Sequence, residues 1–89
     1  MTDRYLEVTY RNGKLLAAYL YLPRQANEKS VRTQEAGHGM VVDFGSAGHA
    51  IGIELTAPTQ VTLERLNAIL KRLNVPPVEE KDLAPLAAA

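Results

Sequence analysis

The side chains that could do chemistry crowd into one stretch. Asp43-Phe44-Gly45-Ser46-Ala47-Gly48-His49-Ala50-Ile51-Gly52-Ile53-Glu54-Leu55 holds two carboxylates and a histidine, and the other histidine, His38, stands just upstream between Gly37 and Gly39. The stretch reads as strand, tight turn, strand. Counting back from a turn centred near Ala47 sets Asp43 opposite Ile51, with Glu54 one diagonal step beyond on the same polar face. Two carboxyls on one face can share a proton, which raises the pKa of one and suits it to acid–base work. The plainer reading is a pair of acids pointing into water.

The histidines sit near opposite ends of the strand Met40–Phe44. At a rise of ~3.4 Å per residue they are ~17 Å apart, so one metal ion within one chain cannot bind both. A metal bridging two subunits is the only metal arrangement this spacing leaves, and two wet turn histidines are the bland alternative. His38, Asp43, His49 and Glu54 therefore make up the residue set of a small-ligand or metal-binding reading, placed in a dimer cleft.

Nucleophilic chemistry has no support. The chain has no cysteine, so thiolate nucleophiles, thiolate metal sites and disulfides are excluded. Ser30 and Ser46 lie in no Gly-x-Ser-x-Gly elbow. Gly37-His38-Gly39 and Gly45-x-x-Gly48 precede no helix and no Gly-Lys-Ser/Thr, so neither is a phosphate loop. No catalytic residue is assigned, no cofactor is expected, and a non-enzymatic protein is the leading expectation.

The elements that must position these residues are legible. Leu6–Tyr10 alternates apolar and polar, as a half-buried strand does. Asn12-Gly13 then supplies the residues of a type I′ hairpin turn. Leu15–Leu22 is a second strand, stopped by Pro23. Arg24–Ser30 reads as a polar loop, Val31–Glu35 as a weak strand near an edge, and Met40–Phe44 and Ala50–Thr56 as the last two strands. Gly48 is expected at positive φ, and Gly52 marks a bulge or a close approach of the helix. Thr62 is a candidate N-cap, with Glu64 in the first turn. Leu63, Leu66, Ile69, Leu70 and Leu73 then make one apolar stripe of a helix that Asn74 and Pro76-Pro77 end. The expected architecture is α+β: an antiparallel β-meander of five strands with one C-terminal helix packed on one face. Residues 1–74 form a single domain, and residues 75–89 are a tail, mobile in part.

Composition bounds the partners. Lys and Arg balance Asp and Glu, ten against ten, in 89 residues. Nucleic-acid binders carry a basic excess or stripe, and none is present. Tyr5, Tyr10, Tyr19, Tyr21 and Phe44 could stack on bases, but no interleaved Lys or Arg accompanies them, so core or interface roles are favoured. The longest apolar run, Leu15–Leu22, is far short of the ~20 residues that span a bilayer. Met-Thr-Asp-Arg begins no signal peptide, so a cytoplasmic location is the default.

One strand goes beyond fold. Leu16, Ala18, Leu20 and Leu22 make one apolar face of Leu15–Leu22, and Leu15, Ala17, Tyr19 and Tyr21 make the other. A single helix covers one face only. A second copy of the chain is the expected cover for the other, with the tail as the alternative. Leu15, Ala17, Tyr19 and Tyr21 are thus the interface residues of an expected homodimer, or of contact with another protein.

Placed in order, these elements resemble the YuzE-like domain of unknown function, a family of small bacterial proteins. Tyr10 stands for its first Tyr, Ala17-Ala18-Tyr19-Leu20-Tyr21-Leu22 for its second strand, Val31-Arg32-Thr33-Gln34-Glu35 for its Glu-rich strand, and Asp43–Leu55 for its Gly-Ile-Glu hairpin. The resemblance spans residues 5–73. Arg11 and Gly45 occupy places where members carry acids, which weakens a cation site in the last turn. The resemblance implies a compact α+β fold and no established activity. Some members look like antitoxin partners of small toxins, so an antitoxin-like role is implied as well.

Overall fold

The computed structural model describes residues 4–23 and 27–87. Met1-Thr2-Asp3, part of the expected 24–30 loop and Ala88-Ala89 lie outside the described residues. The strands are β1 (Tyr5–Arg11), β2 (Lys14–Tyr21), β3 (Arg32–Gly37), β4 (Met40–Phe44) and β5 (Ala50–Leu55). A 3₁₀ turn (Pro58–Gln60), the helix α1 (Leu63–Arg72), a second 3₁₀ turn (Glu80–Leu83) and a short helix α2 (Ala84–Ala87) follow.

The five strands form one antiparallel sheet in the order β1-β2-β5-β4-β3. The α+β class is as expected, but the simple meander is not. The β1–β2 hairpin and the β3-β4-β5 meander are separate units joined where β5 pairs with β2. Hydrophobicity explains the order. Ile51, Ile53 and Leu55 are fully buried, so β5 takes a central place with a neighbour on each side. In β3, Arg32-Thr33-Gln34-Glu35 is exposed throughout, and a polar strand resists unwanted pairing at an edge.

The turns obey local backbone chemistry. Asn12 and Gly13 take φ of 52° and 78°, the positive values that a type I′ turn requires. In α1 the Thr62 hydroxyl accepts the Arg65 N–H at 3.1 Å. Asn74 ends the helix at φ 59°, and the Val75 N–H returns to Leu70 O at 2.9 Å.

Helix α1 packs on one face of the sheet. Ala18, Leu20, Leu22, Met40, Val42, Ile53 and Leu55 meet Leu66, Ile69 and Leu70 there, and Val78 completes this core. The chain does not end at α1. Residues 75–87, which read from sequence as part of a tail, run back along the helix side of the sheet. The Asn67 amide donates to Val78 O at 3.0 Å, and the Val78 N–H donates to Asn67 Oδ1 at 2.8 Å. The Arg4 guanidinium donates to the carbonyls of Pro76 and Pro77. The tail therefore does not cover the second face of β2. Among the described residues, no helix is long and apolar enough to cross a membrane.

Candidate functional site

The helix-free face of the sheet is built from the other set of alternating side chains. Register gives its rows. Glu7, Tyr19, Glu54, Val41 and Glu35 follow one another across β1, β2, β5, β4 and β3, and Tyr5, Tyr21, Gly52, Asp43 and Thr33 make the next row. The tyrosines are in contact. The Tyr5 and Tyr21 rings stack with centroids 4.4 Å apart, and the Tyr19 and Tyr21 rings meet edge to face at 4.6 Å.

Tyr19 is opposite Glu54, yet its hydroxyl does not stay in its own row. The ring crosses β5 diagonally over Gly52 and donates to Asp43 Oδ2 at 2.8 Å. A Cβ on Gly52 would come within 2.6 Å of Tyr19 Cε2 and closer still to the hydroxyl end. Gly52 therefore marks a close approach, as its mid-strand position suggests, but the approaching group is Tyr19 and not the helix.

Asp43 and Glu54 share this face. Asp43 lies opposite Gly52, not Ile51, because the pairing slips between Asp43 and Phe44. That one-residue bulge keeps the two acids on one face; without it the side chains would alternate apart. Asp43 is only 6 % exposed, and its Oδ1 has no hydrogen-bond partner among the described residues. The group beside it is the Glu54 carboxyl. The hydrogen bond that a protonated Glu54 makes to Asp43 raises the Glu54 pKa from its ordinary value near 4.5, with partial burial and the negative charge of Asp43 adding to the rise.

This arrangement sets a pH dependence. A carboxyl whose pKa is raised by folding stabilises the native state fully below its unfolded value, and that contribution fades as pH climbs through the raised one. Glu54→Gln supplies the same donor at every pH. Its gain over the parent is expected to be near zero at pH 4 and to reach about 0.5 kcal/mol at neutral pH, because solvent at the face screens the repulsion. Thermal melts of both proteins across pH 4–8 check this; a parallel offset at all pH values would contradict it.

The histidines lie elsewhere. His38, at φ 53°, occupies the β3–β4 turn, and His49 the β4–β5 turn at the other end of β4. His49 Nε2 is 3.2 Å from Glu28 Oε1, and the Glu28 side chain is only 8 % exposed. Glu28 reaches that position because Gly45 lacks a side chain: a Cβ there would fall 3.0 Å from Glu28 Cγ. Among the described residues, no group of three or more His, Cys, Asp and Glu side chains is placed to hold a metal. Of the four ligand candidates, the fold brings together Asp43 and Glu54 and leaves His38 and His49 outside.

The interface candidates also sort themselves. Ala17, Tyr19 and Tyr21 line the helix-free face. Leu15 does not continue their row, because Thr9 pairs with Ala17 while Tyr10 pairs with Leu15. The extra residue, Leu16, bulges out and is 52 % exposed. Leu15 moves onto the row of Tyr10, whose hydroxyl donates to Pro85 O on the helix side.

Between Tyr19 and the end of β5 the face is concave. A cleft of about 200 Å³ lies there, lined by the small side chains of Thr9, Ala17 and Thr56 together with Glu7, Tyr19 and Glu54. No protein-family model, curated protein or solved structure matches the chain.

Proposed function

We propose that this chain is a non-enzymatic protein-interaction domain of the cytoplasm, working through the helix-free face of its sheet. The observation that carries the reading is the tyrosine ladder Tyr5–Tyr21–Tyr19 on a face that neither α1 nor residues 75–87 cover. Tyrosine suits such a surface because its ring buries area while its hydroxyl keeps a polar partner. The YuzE-like resemblance and its antitoxin-like implication fit the same reading, since both ask for a docking face rather than a catalytic pocket.

Two occupants are open to this face: a second copy, as a homodimer, or a different protein. A photo-activated cross-linker placed at Ala17 in the producing cell separates them. Capture of a second copy supports the homodimer, and capture of one defined protein supports the other form. A cross-linker at Lys71, exposed on α1, should capture neither. A protein that stays monomeric at high micromolar concentration by light scattering, with no adduct at Ala17, would remove the proposal.

A small-ligand reading keeps one supporting observation, the Asp43–Glu54 pair beside the cleft. It predicts ligand-dependent melting shifts that Glu54→Gln abolishes.

A further inference from the structure

The charges of this neutral chain are not evenly spread. Glu7, Glu35, Asp43 and Glu54 all lie in the two central rows of the helix-free face. Lys71 and Arg72 are on α1, on the opposite side of the sheet. Arg11 and Lys14 pair with each other at the β1–β2 turn and do not line the cleft. The two central rows of the helix-free face are therefore acidic although the molecule is not.

We infer that the occupant of this face is a basic segment of a partner protein, and that the cleft beside Tyr19 receives one of its arginine or lysine side chains. The inference rests on the interaction-domain reading above and names the chemistry of the partner.

Three observations converge on it. The first is shape. A cleft of about 200 Å³ whose lining includes Thr9, Ala17 and Thr56 accepts an aliphatic stem, because these side chains are short. The second is the lining. Glu7 and Glu54 are the direct neighbours of Tyr19 on the flanking strands, and all three line the cleft, so a cation seated there meets two carboxylates and an aromatic side chain. The Glu7 carboxylate accepts from the Tyr21 hydroxyl at 3.4 Å, which leaves it acceptor capacity for a further donor. The third is the orphan. Asp43 Oδ1 is buried without a hydrogen-bond partner among the described residues, and a buried carboxylate oxygen left unpaired is costly. A guanidinium seated against Glu54 adds positive charge next to that oxygen.

The same charges argue against a second copy as occupant. Symmetric pairing would bring the acidic rows of both copies into one interface, and like charges placed opposite one another oppose association.

The test uses the full chain and a tetra-arginine peptide as probe, with tetra-glutamate as control, followed by amide NMR shifts at low salt. Tetra-arginine is expected to move the signals of Ala17, Tyr19, Glu54 and Thr56 most. Glu7→Gln and Glu54→Gln are each expected to weaken it by about two- to fivefold, and Glu64→Gln, an acid on α1, to leave it unchanged. Shifts spread evenly over the acids of the molecule, an equal loss in Glu64→Gln, or no shift at all would overturn the inference. Melting curves of each variant show whether a lost interaction reflects a lost fold. If the Ala17 cross-linker captures a partner while tetra-arginine does not bind, the cationic inference falls and the interaction domain stands. If tetra-arginine binds while nothing is captured, the interaction reading falls and the cleft remains a site for cationic side chains.

Discussion

Asn67→Ala is expected to cost about 2 kcal/mol of folding stability, although Ala is the better helix former. In the interior of a helix the exchange of Asn for Ala alone favours folding by roughly 0.5 kcal/mol. Asn67 overrides that preference because its amide acts as a strand partner. It donates to Val78 O and accepts from the Val78 N–H, 11 residues away in sequence. With Ala in its place both backbone groups lose their partner beside a buried side chain, at about 1–3 kcal/mol per unsatisfied group, less where water reaches them. For a domain of this size 2 kcal/mol lowers Tm by about 10 °C. Hydrogen exchange adds a local reading: the Val78 N–H should lose protection by about tenfold more than amides of β5. Asn67→Asp sharpens the result, since it keeps the acceptor for the Val78 N–H but sets a carboxylate against Val78 O. If Asn67→Ala were as stable as the parent, the packing of residues 75–87 against α1 would not depend on this clamp.

That clamp marks where reading the sequence stops working. The helix, its Thr62 cap and its stop at Asn74 are local and periodic, so spacing alone finds them. Val78 is not periodic. It is a single apolar residue among Pro76, Pro77, Glu79 and Glu80, and no pattern in 75–87 distinguishes a core residue from a tail residue. The one available sign is Asn67 itself, a poor helix former in the middle of a strong helix. Strand identity is legible for the same reason as the helix, because two-residue alternation is local. Strand order is not. The contact between β2 and β5 joins residues more than 30 positions apart, and only the competing burial of β5 and the polarity of β3 decide it.

The candidate site divides along the same line. That Asp43 and Glu54 each lie on the polar side of their own strand follows from alternation. That the two polar sides coincide depends on a bulge at Asp43/Phe44, which alternation does not encode. The displacement of Leu15 has the same origin, a bulge opposite the Thr9–Tyr10 step. Gly52 is visible as an oddity, since a glycine inside an Ile-Gly-Ile-Glu-Leu strand must admit something close. What it admits is clear only with β2 beside β5, because the group that needs the space is on the neighbouring strand.

Gly52→Ala is accordingly expected to destabilise the protein by about 2–3 kcal/mol, against the ordinary sign of such a change. In an extended strand Ala in place of Gly restricts the unfolded chain and stabilises by about 0.4–1 kcal/mol when the backbone accepts it. No positive φ is recorded at Gly52, so the backbone accepts it. The obstacle is the Tyr19 ring, which a Cβ would overlap. The ring must swing off β5 and give up its bond to Asp43 Oδ2. A hydrogen bond to a charged group contributes about 1.5–3 kcal/mol, and its loss leaves neither oxygen of a buried carboxylate with a partner among the described residues. The Tyr19–Tyr21 edge contact goes with it, at about 0.5–1 kcal/mol. Tyr19→Ala removes the obstacle. In that background Gly52→Ala should be neutral or mildly stabilising, so urea unfolding of the four proteins should give a coupling energy of about 2 kcal/mol. Equal costs in both backgrounds would mean that Gly52 serves something other than Tyr19. Tyr19→Phe separates the two parts of the effect: it keeps the ring over Gly52 and removes only the hydroxyl, so it should cost what the bond to Asp43 contributes and leave only the ring-displacement part of the Gly52→Ala penalty, about 0.5–1 kcal/mol, in place. The docking face follows the same geometry. A ring displaced by the added methyl group no longer lines the cleft with Glu7 and Glu54 as it does in the parent, so the Gly52→Ala protein should lose its response to tetra-arginine even where it remains folded.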